Sequence, residues 1–224
     1  PFIEQCKESV WKYEGMWEDF SHTVGFWADM KNPYVTYHND YIESEWWALK
    51  EIWKKGLLYE GHKIVPYCPR CGTPLSSHEV AQGYKDVKER SAVVRFKVKG
   101  EDAYILAWTT TPWTLPSNVA LCVNPDEDYV KVTSKGYTYY MAAALVDTVL
   151  GEGAEILEHY QGKDLEFKEY EPLFPYAEKR IGNKKAYYVV CDTYVTLTDG
   201  TGVVHIAPAF GEDDSKVGHR YDLP

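Results

Sequence analysis

The sequence predicts a mixed, mainly β fold: a β-barrel domain with a few helices, preceded by a helical flank and a short module holding a Cys-x-x-Cys pair. Three observations predict it. Residues 1–60 repeat apolar side chains at helical spacing, residues 61–90 are crowded with Pro and Gly, and from 91 onward short apolar runs alternate with turn residues. The expected divisions are therefore 1–60, 61–90 and 91–224.

The clearest helix in the first stretch is "NDYIESEWWALKEIWKKGLL". Ile42, Trp46, Leu49 and Trp53 share one face. Asp40 with Glu43 three residues on reads as a capping box, and Gly56 suits the left-handed position that ends a helix. The Trp residues here are expected in core or interface packing rather than in a ligand site. Residues 61–90 hold three Pro, three Gly and the pair Cys68 and Cys71.

Beyond 91, "SAVVRFKV" and "DAYILAWTT" read as strands joined at "KGED". "NVALCVNP", "YVKVT" and "TYYMAA" follow, with "SKGY" as a turn. "AALVDTVLG" and "AEILEHY" read as short helices or strand–helix mixtures. "KKAYYVVCDTYVT" and "GTGVVHIAPAF" are β-rich, and "DDSKVGHRYDLP" opens like a helix with acidic residues in its first turn. Many short strands separated by turns argue for a barrel or sandwich.

Composition bounds the function. Of 224 residues, 45% are hydrophobic, enough for a core, and the formal net charge is −10. Phosphate backbones are held by Lys and Arg, so an acidic chain is a poor general nucleic-acid binder, and any nucleic acid should be gripped over a small part only. The five cysteines are an odd count without a disulfide framework, which fits a reducing, cytoplasmic setting. No apolar run nears the ~20 residues of a membrane span. The opening "PFIEQCKESV" lacks Met and reads as a segment of a longer protein.

Several chemistries are absent from the sequence: no G-x-S-x-G elbow, no P-loop and no G-x-G-x-x-G. "CPRCG" is half of a zinc ribbon knuckle. A structural zinc needs four ligands, and His62 and His78 do not have knuckle spacing. Two readings stay open: a Zn²⁺ half-site at Cys68 and Cys71 completed by further chain, or an empty pair.

Two polar constellations remain. "AWTTTPWTLPSN" places Thr109, Thr110 and Thr111 at a strand end before Pro112. "GTGVVHIAPAFGEDD" carries His205 on an apolar strand and acidic residues at a helix start. Together they bring hydroxyls, an imidazole and carboxylates, but no strong nucleophile. That set suits positioning a water on an activated ester.

These two motifs resemble the editing domain of the isoleucyl-tRNA synthetases, the insertion called connective peptide 1, in its eukaryote-like type. "YIESEWWALKEIWKKGLLYEGHKIVPYCPRCGTPLSSHEVAQGY" is similar to the stretch leading into it, so the resemblance covers essentially the whole chain. The valyl and leucyl relatives have Thr-Thr-Arg-Pro where this chain has Thr109-Thr110-Thr111-Pro112. The ATP-site motifs of the family are missing, which implies a segment unable to form an aminoacyl-adenylate.

The resemblance implies hydrolysis of valine from misacylated tRNA. A pocket for isoleucine must admit valine, since one methylene is worth only about 1–3 kcal/mol, a limit for which the isoleucyl enzyme is itself the standard example. It implies that Asp214, nine residues after His205, binds the substrate ammonium, with Asp213 the alternative register. Thr109, Thr110 and Thr111 would hold the ribose, the ester and the water, with Trp108 as a wall. His205 and Thr114 would line the side-chain slot. Gly200, Thr201 and Gly202 would let the terminal adenosine approach the backbone. No cofactor is implied for the hydrolysis. The implied partners are misacylated tRNA and the rest of the synthetase, with no membrane, and a monomer is expected. Two rivals are a valyl-type editing domain, which clears threonine, and a non-catalytic module that docks tRNA or a partner. On strand alternation Thr109 and Thr111 share a face, and Thr110 is the odd one out.

Overall fold

The computed structural model describes residues 1–224. The chain forms two compact units, Pro1–His62 and Lys63–Pro224. The first holds α1 (Phe2–Lys12), α2 (Glu14–Thr23) and α3 (Asn39–Lys54), none with a buried residue. Trp46 and Trp53 are 69% and 70% exposed, so they do not build a core within this chain. The end of α3 follows its sequence signal. Gly56 takes φ +68°, its N–H donates to the Trp53 carbonyl at 2.8 Å, and Leu57 N–H donates to Ile52 at 3.2 Å. That double closure satisfies carbonyls the helix end leaves open. The start differs from expectation. His38, extended, occupies the cap position without a side-chain bond, so Asp40 falls in the first turn and makes no capping box. Its carboxylate there meets the positive end of the helix dipole instead.

The second unit opens with a two-stranded ribbon, β1 (Tyr67–Cys68) and β2 (Thr73–Pro74), around the Cys68–Cys71 turn. α4 (Ser77–Ala81) follows. Here a capping box does form: Ser76 N–H donates to the Glu79 carboxylate at 2.8 Å, and Glu79 N–H donates to Ser76 Oγ at 3.2 Å.

Eight strands make the body of the unit. β3 (Ala92–Lys97), β4 (Tyr104–Thr109), β6 (Asp128–Ser134), β7 (Tyr137–Ala142) and β8 (Glu155–Gln161) form one sheet, ordered β3-β4-β7-β6-β8. Its β4–β7 pair is parallel and short, and the other pairs are antiparallel. β5 (Ala120–Val123), β9 (Tyr188–Cys191) and β10 (Val203–Ile206) form the second sheet, ordered β10-β5-β9. Two short helices complete it, α5 (Val146–Leu150) and α6 (Glu212–Arg220).

The expected barrel is not closed. The result is a mixed α/β unit with several open sheets. The reason lies partly in residues 110–119. β4 stops at Thr109, and a 3-10 turn over Pro112–Ser117 follows. Pro112 and Pro116 have no N–H to donate to a ladder. β10 therefore packs beside β4 without pairing to it. At the other side residues 167–171 link the two sheets, through isolated bridges of Val98 with Tyr170 and Glu169 with Tyr188 and through neighbouring backbone hydrogen bonds.

The core lies between the sheets and includes Phe96, Leu121, Tyr129, Met141 and Tyr170. Its tyrosines carry polar tips that need partners once buried. Tyr129 hydroxyl donates to the Gly202 carbonyl at 2.6 Å, and Tyr170 hydroxyl donates to Asn118 Oδ1 at 2.6 Å. Ala142 N–H donates to the Thr201 carbonyl at 3.0 Å. These bonds pin the 200–202 loop that leads into β10 and the end of the 3-10 turn that follows β4.

Candidate functional site

A small cavity of about 190 Å³ is lined by Trp108, Thr109, Thr110, Thr111, Val204, His205, Phe210 and Asp214. The two polar constellations of the sequence, about a hundred residues apart, thus meet. Three elements position them: the end of β4, the strand β10, and the first turn of α6.

The threonines are not equivalent. Thr109 is buried, while Thr110 and Thr111 are exposed. Thr111 N–H donates to Thr109 Oγ1 at 3.0 Å, and the two hydroxyl oxygens lie 3.4 Å apart. Thr111 has left the strand, with φ −122° and ψ 63°. Its carbonyl accepts the Thr114 hydroxyl at 2.8 Å and Thr114 N–H at 3.0 Å, which closes the first turn of the 3-10 segment.

Thr114 and His205 are both buried, and Thr114 Oγ1 lies 2.9 Å from His205 Nε2. His205 Nδ1 is buried without a partner. Burial pushes the imidazole pKa down to about 4, because charge is costly away from water. His205 is therefore neutral at physiological pH.

Asp214 sits in the first turn of α6, and one carboxylate oxygen accepts Ala207 N–H at 2.8 Å. Burial raises its pKa above the usual carboxylate range, against the pull of that N–H. Asp213, its neighbour, pairs instead with Lys216 at 3.2 Å on the surface. The structure thus places Asp214, not Asp213, on the cavity.

The 200–202 loop borders an adjoining cavity of about 280 Å³, which shares Trp108 and Val204 with the first and adds Tyr194 and Thr201. Gly200 and Gly202 take φ +77° and +72°. A side-chain carbon at Gly200 would stand 2.9 Å from the Trp108 indole, and one at Gly202 would stand 2.4 Å from Ala142. Both glycines thus have an intrachain cause: left-handed backbone pressed against a neighbour.

Phe210 and Tyr194 escape a sequence reading. Phe210 lies inside "GTGVVHIAPAFGEDD", but nothing in its spacing separates it from core filler. Cys68 and Cys71 lie outside the cavity. Cys71 N–H donates to Cys68 Sγ at 3.4 Å and draws that thiol's pKa below its usual range. No third His, Cys, Asp or Glu joins them. Two thiols do not make a four-ligand zinc site, so these residues alone do not fit the ion.

A family model described as tRNA synthetases class I (I, L, M and V) matches residues 1–199. Over all 224 residues the chain is 62% identical to the isoleucine–tRNA ligase of Clostridium acetobutylicum and 60% identical to that of Clostridium novyi. It is 50% identical over 223 residues to the isoleucine–tRNA ligase of Picrophilus torridus. The chain spans 21% of the length of each of these relatives. Among solved structures, the leucyl-tRNA synthetase editing domain of P. knowlesi shares 15% identity at a TM-score of 0.45. That match covers 64% of this chain and 70% of the other. The structure of GlLeuRS-CP1 shares 16% at 0.47, over 59% of this chain and 65% of the other.

Proposed function

The chain belongs to the class I tRNA synthetases of the isoleucine, leucine, methionine and valine group, and on that premise we propose that it is the editing segment of an isoleucine–tRNA ligase. The reaction is hydrolysis of the ester that joins valine to mischarged tRNA. The observation that carries this reading is the convergence of Thr109, Thr110, Thr111, His205 and Asp214 on one small cavity.

Asp214 binds the α-ammonium of the aminoacyl group. A desolvated cation needs an ionised acceptor, and a charge-assisted bond is the strong kind. Binding the ammonium also counters the burial that raises the Asp214 pKa. Thr109 and Thr111 hold the ester and the attacking water, with Thr110 at the rim toward the ribose. His205 and Thr114 bound the side-chain slot and set its depth. Trp108 walls the site toward the adjoining cavity, where Gly200, Thr201 and Gly202 take the terminal adenosine.

The water oxygen bonds to the ester carbon. The bond to the ribose oxygen breaks, that oxygen takes one of the water's protons, and valine leaves as its carboxylate with the other proton released to solvent. No residue here is a strong base, since His205 is held neutral and weakly basic by burial. The rate comes from positioning, helped by the free ribose hydroxyl of the substrate.

Within this reading, residues 1–60 are the helical flank, 61–90 the Cys-x-x-Cys module and 91–224 the editing domain of a cytoplasmic enzyme, and the chain acts as a monomer. The rest of the synthetase and mischarged tRNA are its partners. Deacylation of isoleucine tRNA charged with valine or with isoleucine tests the reading. Valine should be released and isoleucine spared. No release of valine would defeat the assignment.

A further inference from the structure

The sheet face that leads away from the cavity carries a cation without an acid. In the β3–β4 pair Val93 stands opposite Trp108, Arg95 opposite Leu106 and Lys97 opposite Tyr104, and Tyr104 stands beside Tyr139 of β7. Cross-strand partners point to one side of a sheet, so Arg95, Lys97, Tyr104, Tyr139 and, two residues from it, Tyr137 share a face with Trp108. Trp108 lines both cavities. Arg95 lies two residues from it along the strand direction, about 7 Å. It is exposed but not loose. Its guanidinium lies over the Tyr137 ring at 4.9 Å and the Tyr104 ring at 5.6 Å from the centroids. The Tyr139 and Tyr137 hydroxyls hold its pKa up, and no carboxylate takes part. Lys97, the other cation of this face, is already paired with Asp102 at 2.5 Å. The chain has 34 acidic side chains and a net charge of −10, yet none of them neutralises Arg95.

We propose that Arg95 receives a backbone phosphate of the single-stranded 3′ end of tRNA, just upstream of the terminal adenosine, and that this face of β3, β4 and β7 is the path by which the strand leaves the site. The inference rests on the reading of the two cavities as the seats of the aminoacyl group and the adenosine. A strand whose last nucleoside sits against Trp108 has to run out over a neighbouring surface, and an acidic chain can grip it only where a cation stands unneutralised. Arg95 is such a cation, within one step of the Trp108 wall. A guanidinium fork suits phosphate oxygens, and the rings fix it before the ligand arrives, so less freedom is lost on binding. Tyr137, 47% exposed, adds ring surface for a base, a contact that is tolerant of sequence. Tyr104 and Tyr139 act as positioning residues that hold the fork.

Two measurements test this. Binding of a short RNA ending in CCA, read by fluorescence anisotropy across a salt series, should weaken about 5- to 10-fold in Arg95→Gln. The slope of log affinity against log salt should fall by about 0.7, the share of one single-strand phosphate. Tyr137→Leu, which frees the guanidinium but keeps its charge, should weaken binding about 2- to 3-fold at an unchanged slope. Affinity and slope in Arg95→Gln equal to those of the unsubstituted chain would overturn the proposal, and would be the result if this face docks an acidic protein instead. In hydrolysis, the advantage in kcat/KM of valine-charged tRNA over the valyl ester of adenosine, which has no phosphate, should shrink in Arg95→Gln by the same factor as the RNA affinity. An equal loss on both substrates would mean that Arg95 only braces the sheet, and would also overturn the proposal. A chain that grips the RNA through Arg95 but releases valine from neither substrate would defeat the proposed function and leave this site standing.

Discussion

Asp214 and Ala207 are joined by a 2.8 Å hydrogen bond from the Ala207 N–H to a carboxylate oxygen, which ties the first turn of α6 to the end of β10. The bond separates the structural role of Asp214 from its charge. Asp214→Asn keeps an oxygen to accept the N–H but cannot meet a cation with a charge. It should lose deacylation by 100-fold or more, on the order of 3 kcal/mol, with little change in thermal midpoint. Asp214→Ala should lose activity equally and also cost about 1–3 kcal/mol of stability, because the N–H is orphaned. Deacylation rates beside urea unfolding curves read both effects.

Gly211 decides where that carboxylate points. A side-chain carbon at this position would stand 2.2 Å from the second carboxylate oxygen of Asp214. The backbone of Gly211 is extended, at φ −148° and ψ 147°, so alanine fits its dihedrals. Gly211→Ala should leave folding nearly intact while moving Asp214 by enough to lower deacylation about 10- to 100-fold. Wild-type activity in this variant would show that the carboxylate position does not matter.

Thr109 and Thr110 should respond differently to alanine. Thr109 is buried and accepts the Thr111 N–H, so Thr109→Ala should reduce activity and cost about 1 kcal/mol of stability. Thr110 is exposed, and Thr110→Ala should stay within about 0.5 kcal/mol of wild type in stability. The pair is compared by thermal unfolding and by kcat/KM on the valine-charged tRNA. Equal loss in both variants would argue against an alternating strand end.

His205 should give the fold an acid-side weakness. Its pKa lies near 4 when folded and near 6.5 when exposed. Between these values the unfolded chain holds a proton that the folded chain does not. The contribution is fully present above pH 6.5 and is lost as pH falls toward 4, reaching about 2 kcal/mol at pH 5. Asp214, with its raised pKa, acts in the opposite sense. His205→Gln should flatten the dependence between pH 7 and 5 in urea titrations followed by circular dichroism. An unchanged slope would place the acid sensitivity elsewhere.

How far the sequence could be read depends on how local each cause is. The β3–β4 hairpin, the "SKGY" turn and the Gly56 helix end rest on neighbours in the chain, so alternation and turn chemistry reveal them. The turn takes φ 50° at Lys135 and 81° at Gly136, as a tight hairpin demands. The start of α3 misleads because Asp40 serves the helix from its first turn, where its carboxylate meets the positive end of the dipole, while His38 takes the cap position without a side-chain bond. The barrel misleads because strand count is local but closure is not. Whether β10 pairs with β4 depends on where two prolines throw the chain, and that is decided across the whole unit.

By itself the sequence determined the chemistry on offer: a threonine run ended by Pro112, a histidine on an apolar strand and acidic residues opening a helix. It also determined the family, since those motifs are carried by residue identity. Only the tertiary structure decided which of these groups act together. It turned Asp214 inward and Asp213 out to Lys216, set Thr114 against His205 across 91 positions, and left Nδ1 bare. The physical reason is that burial and hydrogen-bond pairing are properties of neighbours in space. A side chain's charge state, tautomer and orientation are settled only when the segments that surround it have packed.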